Sequence, residues 1–173
     1  MKKLLFFAAF TVAGLMSMNA QNTTFGITAG YTNIKAKTSY EGQSYSESIS
    51  GFHVGALVDF GLNENFHIQP EVIYANAEEM NFLYIPVLAK YYISNSGFQL
   101  LAGPQVNIVL DELIDGLNNV GLDLTFGAAY DINEHFFIDA RYSFELTNRF
   151  EDGADYDVSG KYNTLFAGVG YKF

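Results

Sequence analysis

The groups able to do chemistry in this 173-residue chain are few and unevenly placed. Cysteine is absent, which removes thiol nucleophiles, thiolate metal sites and disulfides together. Of the 3 histidines, His53 lies near Ser50 on a face read as inward, His67 near the end of a turn and His135 within one. Acyl transfer or hydrolysis needs a nucleophile, a base and an orienting carboxylate within hydrogen-bond reach, and here no third member is assignable. The sequence also lacks a Gly-rich phosphate cradle, a His-Glu-x-x-His pair and calcium-loop spacing. It is therefore read as a non-enzyme without a catalytic, cofactor or metal set.

Charges at alternate positions are the stronger signal. Asp123, Asp139, Arg141, Glu145 and Lys172 share the less apolar face of three C-terminal segments, and Glu71 and Lys90 form a second set. Pairing centred on the turn after Tyr130 puts Arg141 opposite Thr125, with Asp123 diagonal to it and Asp139 two residues along. Enclosed groups of this kind need partners, so they are expected to form a salt-bridge plug. The alternative is a gated lining whose charges select ions. A separate acidic run, Glu151, Asp152, Asp155 and Asp157, has the oxygen chemistry for calcium or a bridging divalent ion, but like charges in a loop ordinarily just hydrate.

The elements that would position these groups are strands. With 49% apolar and 16% aromatic residues the chain is not disordered, and its net charge of -10 excludes a grip on nucleic-acid phosphates. Met1-Lys2-Lys3, the apolar run from Leu4 to Leu15 and the Ala20-Gln21 junction read as a secretory signal peptide over 1–20, leaving one domain over 21–173. The run is too short for a membrane helix. Beyond it, period two recurs in eight segments: 24–34, 51–60, 66–75, 81–93, 97–110, 120–130, 136–146 and 162–173. Connections after the second, fourth and sixth are short. Those over 36–50, 111–119 and 148–161 are long and polar, and 77–80 is a short exception. Turns at one end and loops at the other give the meander of an eight-stranded antiparallel up-and-down transmembrane β-barrel. The first loop, with Tyr40 and Tyr45, is a candidate surface for an external partner.

A soluble ligand-carrying barrel would put its apolar face inside. The apolar face here is too bulky for so narrow an interior, whereas the other is rich in Gly, Ala, Ser and Thr. Aromatic residues also cluster at both ends of the bulky face. Phe25, Phe60, Phe66, Tyr91, Tyr130, Phe136, Tyr171 and Phe173 lie at the turn end, and Tyr31, Phe52, Tyr74 and Phe144 at the loop end. Two such girdles bordering an aliphatic band match the interfaces of a bilayer, with outer-membrane lipid and lipopolysaccharide as surroundings. Pro70, Pro86 and Pro104 fall inside strands, where each deletes a ladder donor, and bulges or strand ends are expected there.

Gly51-Phe52-His53-Val54-Gly55, Ile68-Gln69-Pro70-Glu71, Tyr84-Ile85-Pro86-Val87-Leu88-Ala89-Lys90-Tyr91, Ala102-Gly103-Pro104 and Gly168-Val169-Gly170-Tyr171-Lys172-Phe173 together resemble a family. It is that of the small outer-membrane, porin-like β-barrels typical of Bacteroidetes, with the architecture shared by OmpX and the OmpA membrane domain. The resemblance implies residence in a Gram-negative outer membrane. It also implies that Tyr171 and Phe173 belong to the terminal signal read by the barrel assembly machinery. It does not supply an activity, because the fold hosts adhesins, anchors, channels and enzymes. A filled polar lumen and a surface role through the loops is the expectation, and a narrow conduit the alternative.

Overall fold

Backbone amides in hydrocarbon have no water to bond, so alternating strands must form a ladder that returns to its own beginning. The computed structural model, which describes residues 23–40, 43–94, 96–113, 116–150 and 158–173, shows that closure. Its strands are β1 (Thr23–Tyr40), β2 (Gln43–Gly61), β3 (Phe66–Ala77), β4 (Met80–Tyr92), β5 (Phe98–Val109), β6 (Val120–Asp131), β7 (Phe136–Glu145) and β8 (Val158–Lys172). Each pairs antiparallel with the next, and β8 pairs with β1 from Gly26↔Lys172 to Tyr40↔Val158. Every regular element among the described residues is a strand. The expected signal peptide over 1–20 and the acidic run over 151–157 lie outside the described residues.

The period-two faces hold along the barrel-wall part of the strands, Phe60 excepted. On β3, Val72 and Tyr74 are exposed while Glu71, Ile73 and Ala75 are buried, and on β6 Leu122, Leu124 and Phe126 alternate with buried Asp123 and Thr125. Two of the three turn-end connections, β2–β3 and β6–β7, repeat one device. Asn63 Oδ1 accepts the amides of Asn65 and Phe66, at 3.0 and 2.9 Å, and Asn133 Oδ1 accepts those of His135 and Phe136, at 2.9 and 2.8 Å. These are Asx turns, in which a short side chain stands in for backbone.

Two expectations about connections are corrected. Most of the stretch over 36–50 is not loop: β1 and β2 continue as a ladder through Lys35↔Ser48 and Lys37↔Ser46 to Tyr40↔Gln43. β8 likewise starts at Val158 and covers the other side of β1. Serine-rich composition looked like loop. Pairing on both sides of β1, with Ile34, Ile49 and Tyr162 packed underneath, holds it extended instead. The prolines are also neither bulges nor strand ends. Pro70 stays in register with β4, Pro86 with β5 and Pro104 with β6, and each interrupts pairing only toward the preceding strand. Register resumes unchanged beyond each gap, so a missing donor costs local hydrogen bonds but not the alignment.

The closing seam depends on small residues. Gly30 faces Gly168 across β1 and β8, and a Cβ on Gly30 would sit 2.2 Å from the Ala167 carbonyl oxygen and 2.5 Å from Gly168 Cα. These are backbone atoms, which cannot swing aside. Gly30→Val is therefore expected to destabilise the refolded barrel by about 1–3 kcal/mol, the usual cost of overpacking. The urea midpoint of the heat-modifiable band in detergent gels checks this, and an unchanged midpoint would contradict it.

Candidate functional site

Alternation sends every second side chain into a cross-section too narrow for water-filled spacing, so the inward residues must satisfy one another. In a closed ring of eight, β3 lies across the lumen from β7 and β4 across from β8. Arg141 on β7 spans that diameter. Its Nη1 donates to both carboxylate oxygens of Glu71 on β3, at 2.9 and 2.8 Å, and both residues are buried. The Arg141 Nε also lies 2.7 Å from Asp139 Oδ2, an ionic contact without hydrogen-bond alignment. A second strut crosses one strand further round, where the hydroxyls of Tyr84 (β4) and Thr164 (β8) meet at 3.2 Å.

Toward the turn end the network continues through Gln69, whose Nε2 donates to Glu71 Oε1 at 2.6 Å. Gln69 Oε1 accepts in turn from Lys90 Nζ at 3.0 Å, and Lys90 pairs with Asp59 at 2.5 Å. His67 Nδ1 holds the other Asp59 oxygen at 2.6 Å. Lys172 pairs with Asp131 at 2.7 Å and lies over the Phe137 ring, 5.5 Å from its centroid. Toward the loop end, Gln105 Nε2 donates to Asp123 Oδ2 at 2.7 Å and to Ser143 at 3.1 Å, and Asn107 donates to Asp123 Oδ1. Arg149 lies 2.7 Å from Glu145, donates to Asn107 and to the Asn118 carbonyl, and covers the Tyr162 ring. At the rim, the half-buried Asp111 carboxylate accepts from the Asn81 backbone amide at 2.5 Å, which holds its pKa below the ordinary carboxylate value.

The expected partners are thus rearranged. Arg141 stands opposite Gly127, not Thr125, because the turn is centred on Glu134 once Asn133 has captured two amides. Asp123 then faces Glu145 and is satisfied by amide side chains, with no bond to Arg141. Glu71 and Lys90 do not pair with each other; Gln69 separates them. Asp59, Asp131 and Arg149 were not singled out in the sequence. Asp59 lies on the inward face and carries that signal, whereas Asp131 ends β6 and Arg149 lies in the connection four residues past β7, where alternation gives no signal.

The interior is also less polar than expected. Ile34, Ile73, Phe82, Tyr84 and Phe166 form a buried cluster at the loop end on the β1, β3, β4 and β8 side. Elsewhere in the interior, large inward groups lie beside glycines of neighbouring strands. A Cβ at Gly170 would meet the Phe137 ring at 2.0 Å, and one at Gly26 would meet Leu57 at 3.0 Å. Small residues do point inward, but large ones point in beside them, in the alternation that fills a tapering barrel.

His53 donates to or accepts from Thr32 Oγ1 at 2.9 Å and meets the Phe166 ring edge-on. Ser50 lies on the opposite face, bonded to Tyr31 and Asn33, so the two do not form a nucleophile–base pair. Outside, Phe25, Tyr91, Phe136, Tyr31, Phe52, Tyr74 and Phe144 are exposed and Phe66 and Tyr130 half-exposed, at the two ends of the outward face. Phe60 differs, being only 7% exposed between Thr23 and Ile68. Tyr171 packs among His135, Phe136 and the terminal Phe173. Among the described residues no group of three or more His, Asp or Glu is arranged to hold a metal ion.

Removing one partner of a buried ion pair leaves the other charge uncompensated. Arg141→Met should therefore cost about 3–5 kcal/mol, and adding Glu71→Gln to it should recover part of the loss. Urea unfolding of the two variants beside the parent checks this; equal stability of all three would count against the strut.

A comparison with curated proteins finds no match. Among solved structures, Neisserial surface protein A is similar at 18% identity and a TM-score of 0.54, over 88% of this chain and 100% of that one. Ail, the attachment invasion locus protein of Yersinia pestis, solved in complex with the heparin analogue sucrose octasulfate, is similar at 18% identity and a TM-score of 0.51, over 88% and 100%. At such identities the likeness concerns the fold, an eight-stranded outer-membrane barrel. The family described as outer membrane protein beta-barrel domain matches residues 5–173, and the chain belongs to it.

Proposed function

We propose that this outer-membrane barrel is a closed structural and surface-interaction protein whose loop end faces the cell exterior. The observation that carries the reading is the pair of struts spanning the lumen, Arg141–Glu71 from β7 to β3 and Tyr84–Thr164 from β4 to β8. A conduit needs a continuous aqueous path. Here the gap beside Gln69, Lys90 and Gln99, with a cavity volume of about 10 Å³, is bounded by Arg141 and Phe137, and the aromatic cluster lies beyond it. The narrow-channel alternative has no comparable observation in its favour.

The opposed faces of Ser50 and His53 support a role without catalysis. Surface engagement falls to the extended β1–β2 hairpin, which reaches well past the roughly 9–11 residues a strand needs to span a bilayer. Export by a cleaved 1–20 signal peptide, and recognition of Tyr171 and Phe173 by the barrel assembly machinery, complete the proposed route to the membrane. The motif pieces around Pro70, Pro86 and the C-terminus support an origin in Bacteroidetes.

Planar-bilayer recording of the refolded protein tests the closed lumen. Silence is expected at potentials of about 100 mV of either sign, where each elementary charge feels roughly 2.3 kcal/mol. Steady discrete openings would overturn the reading in favour of the channel.

A further inference from the structure

Leaving aside Lys2 and Lys3 of the leader, the chain has few cations, and they divide cleanly. Lys90, Arg141, Arg149 and Lys172 all lie inside the barrel, paired with carboxylates. The remaining three, Lys35, Lys37 and Lys161, share one outward patch on adjacent strands β1 and β8. None of the ion pairs among the described residues includes them, although Lys161 Nζ approaches the Leu146 carbonyl at 3.5 Å.

Register makes the patch unusual. Lys37 stands directly opposite Lys161, and Lys35 is opposite Asn163 on the same face. Like charges directly across a pair of strands are destabilising unless something neutralises them. Among the described residues, the nearby acid of the hairpin does not, because Glu47 is opposite Ala36 on the other face.

Height decides what the neutralising group is. Below the patch the outward row of β1 reads Ile27, Ala29, Tyr31, that of β2 reads Val54, Phe52, and that of β8 reads Val169, Ala167, Leu165. Above it the same rows read Asn33, Lys35, Lys37; Ser50, Ser48, Ser46; and Asn163, Lys161. Three adjacent strands change from hydrocarbon-compatible to hydroxyl, amide and ammonium within one row, which fixes the membrane surface there. Lys35 follows Tyr31 by four residues, about 13 Å along the strand and less after tilt. Long lysine stems can bend back toward that surface. A free polyanion in bulk would meet a protein of net charge -10, whereas a phosphate already held at the membrane surface lies beside these three ammonium groups.

We infer that Lys35, Lys37 and Lys161 form a binding site for the phosphorylated headgroup of an outer-leaflet glycolipid, with the Ser46 and Ser48 hydroxyls alongside. The site is independent of whether the lumen conducts.

The test uses the refolded full barrel domain in phosphatidylcholine nanodiscs, titrated with labelled bisphosphorylated lipid A, with its dephosphorylated form and with heparin. Each lysine near an anionic surface contributes roughly fivefold, so the triple K35Q/K37Q/K161Q variant should bind lipid A about a hundredfold more weakly. Triple arginine substitution at the same positions should restore binding to within a few fold, Glu47→Gln should leave it unchanged, and the dephosphorylated lipid should bind weakly throughout. Heat-modifiable mobility confirms that each variant is folded. Binding of lipid A by the triple glutamine variant at parent strength would overturn the proposal. So would failure of the arginine variant to restore it, or lysine-dependent binding of heparin with none of lipid A, which would make the occupant a soluble polyanion.

Discussion

Closure of the β1–β8 seam governs everything else in this molecule. A backbone in hydrocarbon cannot leave a row of amides unpaired, and the ladder from Gly26↔Lys172 upward removes the two edges an open sheet would expose. Eight strands closed in this way leave an interior one or two side chains wide. From that width follows the chemistry inside. A carboxylate such as Glu71 cannot be hydrated there and must meet a cation, and the cation that reaches it comes from the opposite wall. Electrostatic pairing is thus a consequence of closure as well as a brace for it.

The plug divides by strand as well as by height. On the β5–β7 side, Gln105, Asn107, Asp123, Thr125 and Ser143 satisfy one another, with Arg149 joining Asn107 and Glu145 at the mouth. On the β1–β4 and β8 side, the same level is filled by Ile34, Ile73, Phe82, Tyr84 and Phe166. Gly170 offers no Cβ to the Phe137 ring, and at Gly30 and Gly168 the missing Cβ lets the β1 and β8 backbones approach closely. Rigid filling of this kind agrees with the closed reading proposed above.

Much of the architecture was legible because a strand's period is two and one face must meet lipid. Val72 and Tyr74 outward against Glu71 and Ile73 inward needed only alternation to assign. Pairing partners were less legible, since they depend on register, and register on turns. One Asx turn at Asn133 shifted Arg141 by two residues against β6 and so redirected it from Asp123 to Glu71. Contacts across the lumen, such as Arg141 with Glu71 seventy positions away, leave no local trace at all. The β1–β2 extension was hidden for another reason: Ser46 and Ser48 carry little strand propensity, and only pairing on both sides of β1 makes that segment extended.

The central claim is that inward side chains touch neither lipid nor water, while their immediate neighbours touch lipid. The chain has no tryptophan, so single substitutions give clean reporters. Val72→Trp and Tyr84→Trp, refolded into bilayers of brominated phosphatidylcholine, should differ sharply. Emission from the Val72→Trp variant should be strongly quenched by bromine, and that from Tyr84→Trp should resist both the brominated lipid and aqueous iodide. Quenching of Tyr84→Trp by iodide would reveal a water-filled lumen, and quenching by bromine would reverse the faces; either result would contradict the account.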